Sequence, residues 1–429
     1  MIWVVILICT LQMIITTYAV AQENNSKKDT VLSSSEKQHE QKDIKDVIKK
    51  IFQTRHHVTQ QASPEDSVFV IHPLTHPVLK TDSVKPGKLL FAPFPAIGYA
   101  LQTGTTAILA MNLSFYTGAI STTNLSSFAI NPTMSLDHNQ FLLPVIANIW
   151  TKGNKLNFLG DWRYYRYPTY TYGLGGHTSL DNADLIDYSY IRVYQEVLKE
   201  ISSSKFYAGF GYDLDYHFGI EDEGGGATDF KTYNGTAQKT VSSGLLFHLL
   251  YDNRKNTNYP ENAFYGSFSY RYNSTLLGSD QNWQSAQLEF KKYFKLSPNS
   301  DNVLAFWNLN WFTFGGLPPY FDLPSTGWDS YSNTGRGYIQ SRLRGPGMLY
   351  LEAEYRFRLT KNGLLGGVIF ANAESVSELT SNQFETILPG TGFGFRLKLN
   401  KTSGANLAID YGFGAGGSHG LFFNVSEVF

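Results

Sequence analysis

Asp213, Asp215 and His217 alternate through "KFYAGFGYDLDYH" (205–217), so an extended backbone puts all three on one face. Carboxylates beside an imidazole suit general acid–base chemistry. The spacing places no nucleophile with them, so catalysis is the minor reading and no catalytic residue is assigned. Metal chemistry has equally little to stand on. Ten histidines are scattered, and the one pair at H-x-x-x-H spacing, His72 and His76 in "HPLTHP", stands among prolines that forbid the helix such spacing needs. "EDEGGGATD" (221–229) is acidic, but its three glycines interrupt the regular offsets of a calcium loop, and it reads as a solvated loop. "GFGAGG" (412–417) fits GxGxxG, yet only twelve residues follow it, too few for a nucleotide-binding helix and its acidic partner. These glycines read as small residues facing a lumen or a turn. No metal and no cofactor is therefore expected. One further group stands out: Arg336, Gly337 and Tyr338, in a long polar loop ahead of a strand that carries Glu352 and Glu354.

The elements that must position these groups are strands. "LEAEYRFRL" (351–359) sets Leu351, Ala353, Tyr355, Phe357 and Leu359 against Glu352, Glu354, Arg356 and Arg358. That is one apolar face and one charged face. Similar alternation runs through "FYGSFSYRYN" (264–273), "AQLEFKKYF" (286–294), "GFGFRLKLN" (392–400) and "ANLAIDYGF" (405–413). Of the 429 residues only 17% are charged while 15% are aromatic, with 27 Tyr, 30 Phe and 38 Gly. This balance favours β structure with many turns. Lys and Arg total 35 against 36 Asp and Glu, so the basic excess that a nucleic-acid partner requires is missing. Past the N-terminus no stretch reaches the ~18 apolar residues of a spanning helix.

The chain opens "MIWVVILICTLQMIITTYAVAQENN", an apolar run ending in Ala19-Val20-Ala21. It reads as a cleaved secretory signal, residues 1–21, although no Lys or Arg precedes the apolar core; an uncleaved anchor is the alternative. Cys9, the only cysteine, lies within it, so the mature chain has no disulfide and no thiol chemistry. Residues 22–88 form a polar leader, mostly disordered, with one short helix in "KDIKDVIKKIF" (42–52); a plug or docking helix is the alternative. From "FAPFPAIGYALQTG" (91–104) to Phe429 the texture is uniform, and about sixteen strands of roughly 9–11 residues with their turns fill it. For an exported chain this pattern predicts a transmembrane barrel rather than a sandwich. Its apolar faces meet lipid, and Trp162, Trp283, Trp307 and Trp311 near strand ends serve as interfacial girdles. Leu421, Phe423, Val425 and the terminal Phe429 share one face of the last strand, with Glu427 the polar exception.

"GGLPPYFDLPSTGWDSYSNTGRGYIQSRLRGPG" (315–347) lies between the eleventh and twelfth candidate strands. About thirty residues without regular structure are uncommon in a compact domain unless functional. Over a wide polar lumen such a loop can fold inward, with Glu352 and Glu354 as anions for its arginine.

These features together resemble the BamA/TamA-type superfamily, the bacterial surface antigen family. "GRGY" (335–338) is similar to the family's Val-Arg-Gly-Phe/Tyr loop motif, with Gly335 for the Val. Glu354 and Arg356 resemble its E-x-R pair, Gly392, Gly394 and Arg396 its G-x-G-x-R strand, and "LAIDYGFG" and "LFFNVSEVF" its last two strands. The resemblance covers residues 91–429. It implies an all-β, 16-stranded antiparallel transmembrane β-barrel over 89–429, without periplasmic POTRA domains, in the bacterial outer membrane. It also implies a latch in which Arg336 contacts Glu354, with Asn372, where the family usually has Asp, as a neutral hydrogen-bond acceptor. Ser426 stands where the family has a Gly that lets the last strand bend and open the barrel seam, and Phe429 would be the terminal signal read by the assembly machinery. The function implied is assembly, insertion or transport of outer-membrane proteins without enzymatic chemistry. The alternative is a structural or pore-forming subunit of an envelope complex. The partners implied are outer-membrane lipids, unfolded barrel clients or other envelope subunits, and no nucleic acid.

Overall fold

The computed structural model describes residues 43, 46, 87 and 89–429, apart from 203, 226–228, 255, 298–301 and 400–403. The signal, Cys9, His72, His76 and nearly all of the leader with its 42–52 helix lie outside the described residues.

Among the described residues the fold is one antiparallel sheet of eighteen strands. In order these are β1 (Leu90–Ala100), β2 (Gly104–Phe115), β3 (Ser126–Ile130), β4 (Thr133–Ser135), β5 (Phe141–Trp150), β6 (Leu156–Arg166), β7 (Thr169–Thr171), β8 (Asp184–Ile201) and β9 (Phe206–Gly225). They continue as β10 (Lys239–Asp252), β11 (Phe264–Asn273), β12 (Trp283–Lys295), β13 (Val303–Phe314), β14 (Gly347–Arg358), β15 (Leu365–Val376), β16 (Leu388–Lys398), β17 (Asn406–Gly414) and β18 (His419–Val425). β3 and β4 both lie between β2 and β5, and β6 and β7 both pair with β8. Each of these two pairs is one interrupted stave, so the eighteen strands occupy sixteen positions. β13 and β14 are then the eleventh and twelfth. Antiparallel order sends the connections after odd positions to one end, and three of these meet there: residues 172–183, 315–346 and 377–387.

The wall is turned inside out relative to a soluble sandwich. Phe210, Leu245, Leu351, Ile369, Phe395 and Val425 are exposed, while Asp213, Asp215, Arg271, Glu352, Glu354, Arg356, Arg396 and Asp410 are buried. In β14 the pattern is strict: Leu351 is 54% exposed and its neighbours Glu352 and Glu354 are fully covered. This is the distribution required when lipid surrounds the sheet and polar groups must find partners inside it.

Three expectations are corrected. Trp283 and Trp307 are not girdle residues. They point into the lumen, where their indole N–H groups donate to Ser242 Oγ at 3.2 Å and Glu289 Oε1 at 2.8 Å. Phe429 does not continue the lipid face of β18, because the strand ends at Val425. Ser426 takes a φ of 79°, the left-handed region where glycine is at home, so the serine does not prevent the bend. The physical reason is Glu427. A carboxylate is costly in lipid, and inside the barrel it receives Arg396 Nε at 2.7 Å and Asn406 Nδ2 at 2.8 Å. Val428 and Phe429 follow it inward, and Phe429 packs on Trp307 with ring centres 5.3 Å apart.

Between β1 and β18 no backbone ladder is found among the described residues, although Gly420 of β18 lies against Leu101 just beyond β1. A cavity of about 240 Å³ borders this seam, lined by Gly98, Tyr99 and Phe423 on the seam side and Tyr165, Tyr167 and Trp328 on the lumen side.

If the exposed face of β14 meets lipid, Leu351→Arg should destabilise the folded barrel by about 2–4 kcal/mol near the bilayer midplane. Denaturant titration in liposomes, followed by the gel mobility of unheated samples, measures this. A stability equal to the parent would contradict the assignment of faces.

Candidate functional site: a loop latched inside the lumen

Residues 315–346 turn into the lumen and touch two walls. The first arm docks on the wall built by β7 to β10. A 3-10 turn at Tyr320–Asp322 buries all three of its side chains. Tyr320 shares a 2.5 Å hydrogen bond with Thr171, Phe321 stacks on Tyr188 with ring centres 4.2 Å apart, and Ser242 Oγ donates to Asp322 Oδ2 at 2.5 Å. Burial and the nearby Asp215 charge together push the Asp322 carboxyl up to about 7, against the pull of Arg271. Trp328 completes the cluster, edge-on to Tyr167 and Tyr190.

The Asp213, Asp215 and His217 face lies just beneath this arm. Asp215 accepts from Arg271 at 2.6 Å, Arg192 at 3.2 Å and Tyr194 at 2.6 Å, and also from Tyr190. His217 lies flat on Tyr190 with ring centres 4.4 Å apart. The alternation therefore placed these groups on one inward face, and there Asp215 is the anchor of an Arg–Tyr cluster that supports the loop.

The loop's second arm carries Arg336 to the opposite wall, formed by β14 to β17. Its Nη2 donates to both Glu352 and Glu354, and its Nη1 donates to Asp410 Oδ2 at 2.6 Å. The guanidinium also lies 3.8 Å above the centre of the Phe370 ring. Burial alone would lower the Arg336 pKa, but these three carboxylates hold it well above its ordinary value. Around the contact the charges interlock. Arg356 binds Glu354 at 2.7 Å, Arg396 binds Asp410 at 2.5 Å, and both approach Glu427, at 3.7 and 2.7 Å. Three guanidinium groups thus sit among four carboxylates, all buried. Arg356 Nη2 further holds the Phe429 carbonyl oxygen at 2.9 Å.

The turn itself is shaped by glycine on both sides of the contact. Gly335 has a φ of 78° and Gly337 a φ of 110°, which explains why a β-branched residue at 335 would be strained. The tip rests on Gly412 and Gly414 of β17: a Cβ on Gly412 would stand 2.6 Å from Gly337 N, and one on Gly414 2.5 Å from the Tyr338 ring. Tyr338 donates its hydroxyl to the Pro389 carbonyl and accepts from the Ala415 N–H at 2.7 Å. Ser418 Oγ donates to the Gly337 carbonyl at 2.7 Å. "GFGAGG" is in part the floor on which the Arg-Gly-Tyr tip lies.

Of the residues singled out in the sequence, the structure brings Arg336 to Glu354 and also to Glu352. It corrects the role of Asn372, which donates its amide N–H to the Arg336 carbonyl at 2.9 Å and does not accept from the guanidinium. Asp410, matched only as part of a strand motif, supplies the carboxylate that Asn372 lacks. Ser426 and Phe429 fall near the same network from its tail side. One further group went unseen because His177 lies 201 or more residues from both glutamates: His177, Glu378 and Glu385, from the first and third connections at the loop end, bring their ligand atoms within 4.8 Å of one another.

Comparison with solved structures matches the fold. The chain superposes on the structure of BamA from Haemophilus ducreyi lacking POTRA domains 1–3 with a TM-score of 0.51 and 15% identity, covering 77% of this chain and 69% of that one. It superposes on CdiB from Acinetobacter baumannii with a TM-score of 0.51 and 13% identity, covering 79% of this chain and 60% of that one. No family model and no curated protein sequence matches this chain. At these identities the likeness is one of fold: a transmembrane β-barrel built like those of BamA and CdiB.

Removing one partner from a buried charge cluster leaves the others uncompensated, at a cost of about 3–5 kcal/mol. Arg336→Ala should lower stability by that order. Arg336→Lys should recover only part of it, because an ammonium cannot reproduce the planar fork that reaches three carboxylates. Denaturant midpoints of the three proteins in the same detergent check this. A full rescue by lysine would show that charge alone holds the loop.

Proposed function

We propose that this protein is a bacterial outer-membrane barrel of the BamA/TamA type that assists the assembly, insertion or transport of other outer-membrane proteins, without covalent chemistry. The observation that carries the reading is the seam. Among the described residues every other neighbouring pair of positions is joined by a backbone ladder, whereas none joins β1 to β18. Unpaired strand edges are templates for another strand, and adding a client strand to such an edge is a recognised mode of binding. The latch gives that seam a rigid frame. It cross-links β14, β15 and β17, the last being the strand that β18 hydrogen-bonds.

A second reading, a structural barrel subunit of an envelope complex, is favoured by the tail. Glu427 and Phe429 tie the end of β18 to Arg396 and Arg356 inside the lumen, which restrains the strand that would have to move.

Reconstituted in liposomes, the protein should speed the folding of a urea-unfolded barrel client relative to empty liposomes, and Arg336→Ala should lose the effect while still inserting. No acceleration by a protein shown to be folded supports the second reading instead.

A further inference from the structure

The connections at residues 172–183 and 377–387 follow the fifth and thirteenth positions of the ring. These positions are half a turn apart, yet the two connections touch. Gly176 N–H donates to Glu378 Oε1 at 2.8 Å, and His177 Nε2 lies 3.3 Å from Glu385 Oε2. The long loop passes beside them: Arg342 donates to Thr178 Oγ1 at 2.7 Å and to its carbonyl at 2.6 Å, and Gly175 N–H donates to the Arg344 carbonyl at 2.8 Å. The three connections together roof the mouth.

At the meeting point stand one imidazole and two carboxylates. Among the described residues neither Glu378 nor Glu385 forms an ion pair with a lysine or arginine, so two carboxylates converge on one imidazole with no other cationic side chain paired to them. Each carboxylate is oriented from outside the group. Glu378 Oε1 is taken by the Gly176 N–H, and Glu385 Oε1 by the Ser381 hydroxyl at 3.1 Å, which leaves an Oε2 on each. Outer donors of this kind fix ligand carboxylates around metals. The space is shaped as well: Gly175 has a φ of 90°, and a Cβ there would stand 1.9 Å from Glu378 Oε2. Two ligands on one tetrahedral zinc at about 2.1 Å lie about 3.4 Å apart. The His177–Glu385 separation of 3.3 Å meets that spacing.

We propose that His177, Glu378 and Glu385 bind a divalent transition-metal ion of the zinc class, and that the ion clasps the two connections across the mouth of the barrel. One nitrogen and two oxygen donors suit zinc better than calcium, which takes six or more oxygens. The fourth position is open to water. The ion neutralises the two carboxylates, fixes the roof over the latched loop and makes its closure depend on metal supply.

The test uses the full-length protein without a histidine tag, folded in detergent and stripped with EDTA. Equilibrium dialysis with zinc chloride should give one tightly held zinc per barrel. His177→Ala and Glu385→Gln should each weaken it by at least about tenfold, with unheated gel mobility showing that both variants are folded. Zinc should also protect the 377–387 connection from protease in the parent and not in His177→Ala, and EDTA should reverse the protection. Equal zinc binding by parent and His177→Ala would overturn the proposal. So would calcium binding at this site as tight as zinc, or zinc binding that leaves proteolysis unchanged.

Discussion

A guanidinium buried among carboxylates is the interaction on which this structure turns. Arg336 is 1% exposed, so bulk solvent does not reach it. Its charge is tolerable there only because Glu352, Glu354 and Asp410 surround it. That requirement fixes the loop's depth, since a tip one residue short would strand the charge. It fixes Gly337 and the glycine floor of β17, since a backbone this close leaves no room for a Cβ. It also explains Arg356 and Arg396, whose two positive charges match the two negative ones that the latch leaves over, with Glu427 drawn in beside them.

The membrane sets the second constraint. Lipid offers no hydrogen bonds, so charged groups turn inward and backbone groups must pair around the ring. The lumen is consequently crowded with polar groups that need partners, and the loop supplies them on two walls: Asp322 to Ser242 on one side, Arg336 to Asp410 on the other. A segment held at both ends acts as a strut across the barrel. The place where ladder pairing lapses, between β1 and β18, lies beside the wall that the strut stiffens.

How far this was legible in the sequence depends on the range of the contacts. Period-two alternation is local, so it correctly gave the lipid and lumen faces of β9 and β14 and placed the long loop between the eleventh and twelfth positions. It pointed the loop's arginine at Glu352 and Glu354 but could not say that a third carboxylate would join them. That is decided by closure of the ring, which brings Asp410 beside Arg336 from 74 residues away. The same blindness hid His177 from Glu378 and Glu385. Composition misled at Trp283 and Trp307, where an aromatic near a strand end passed for a girdle residue although its face points inward. At the chain's end the apolar pattern of β18 suggested one more lipid-facing residue. A single carboxylate, Glu427, turned the chain instead.

The central claim is that the Arg-Gly-Tyr tip lies inside the lumen of the folded barrel. Because Cys9 is the only cysteine, single cysteines in a Cys9→Ser background report on it directly. Tyr338→Cys should resist a bulky, polar maleimide, since Tyr338 is 2% exposed, while Tyr331→Cys, at 71% exposed on the same loop, should react at once. Protection at 338 that is lost when Arg336→Ala is added would be the expected result. Equal and rapid labelling at both positions would mean that the loop is not held within the barrel.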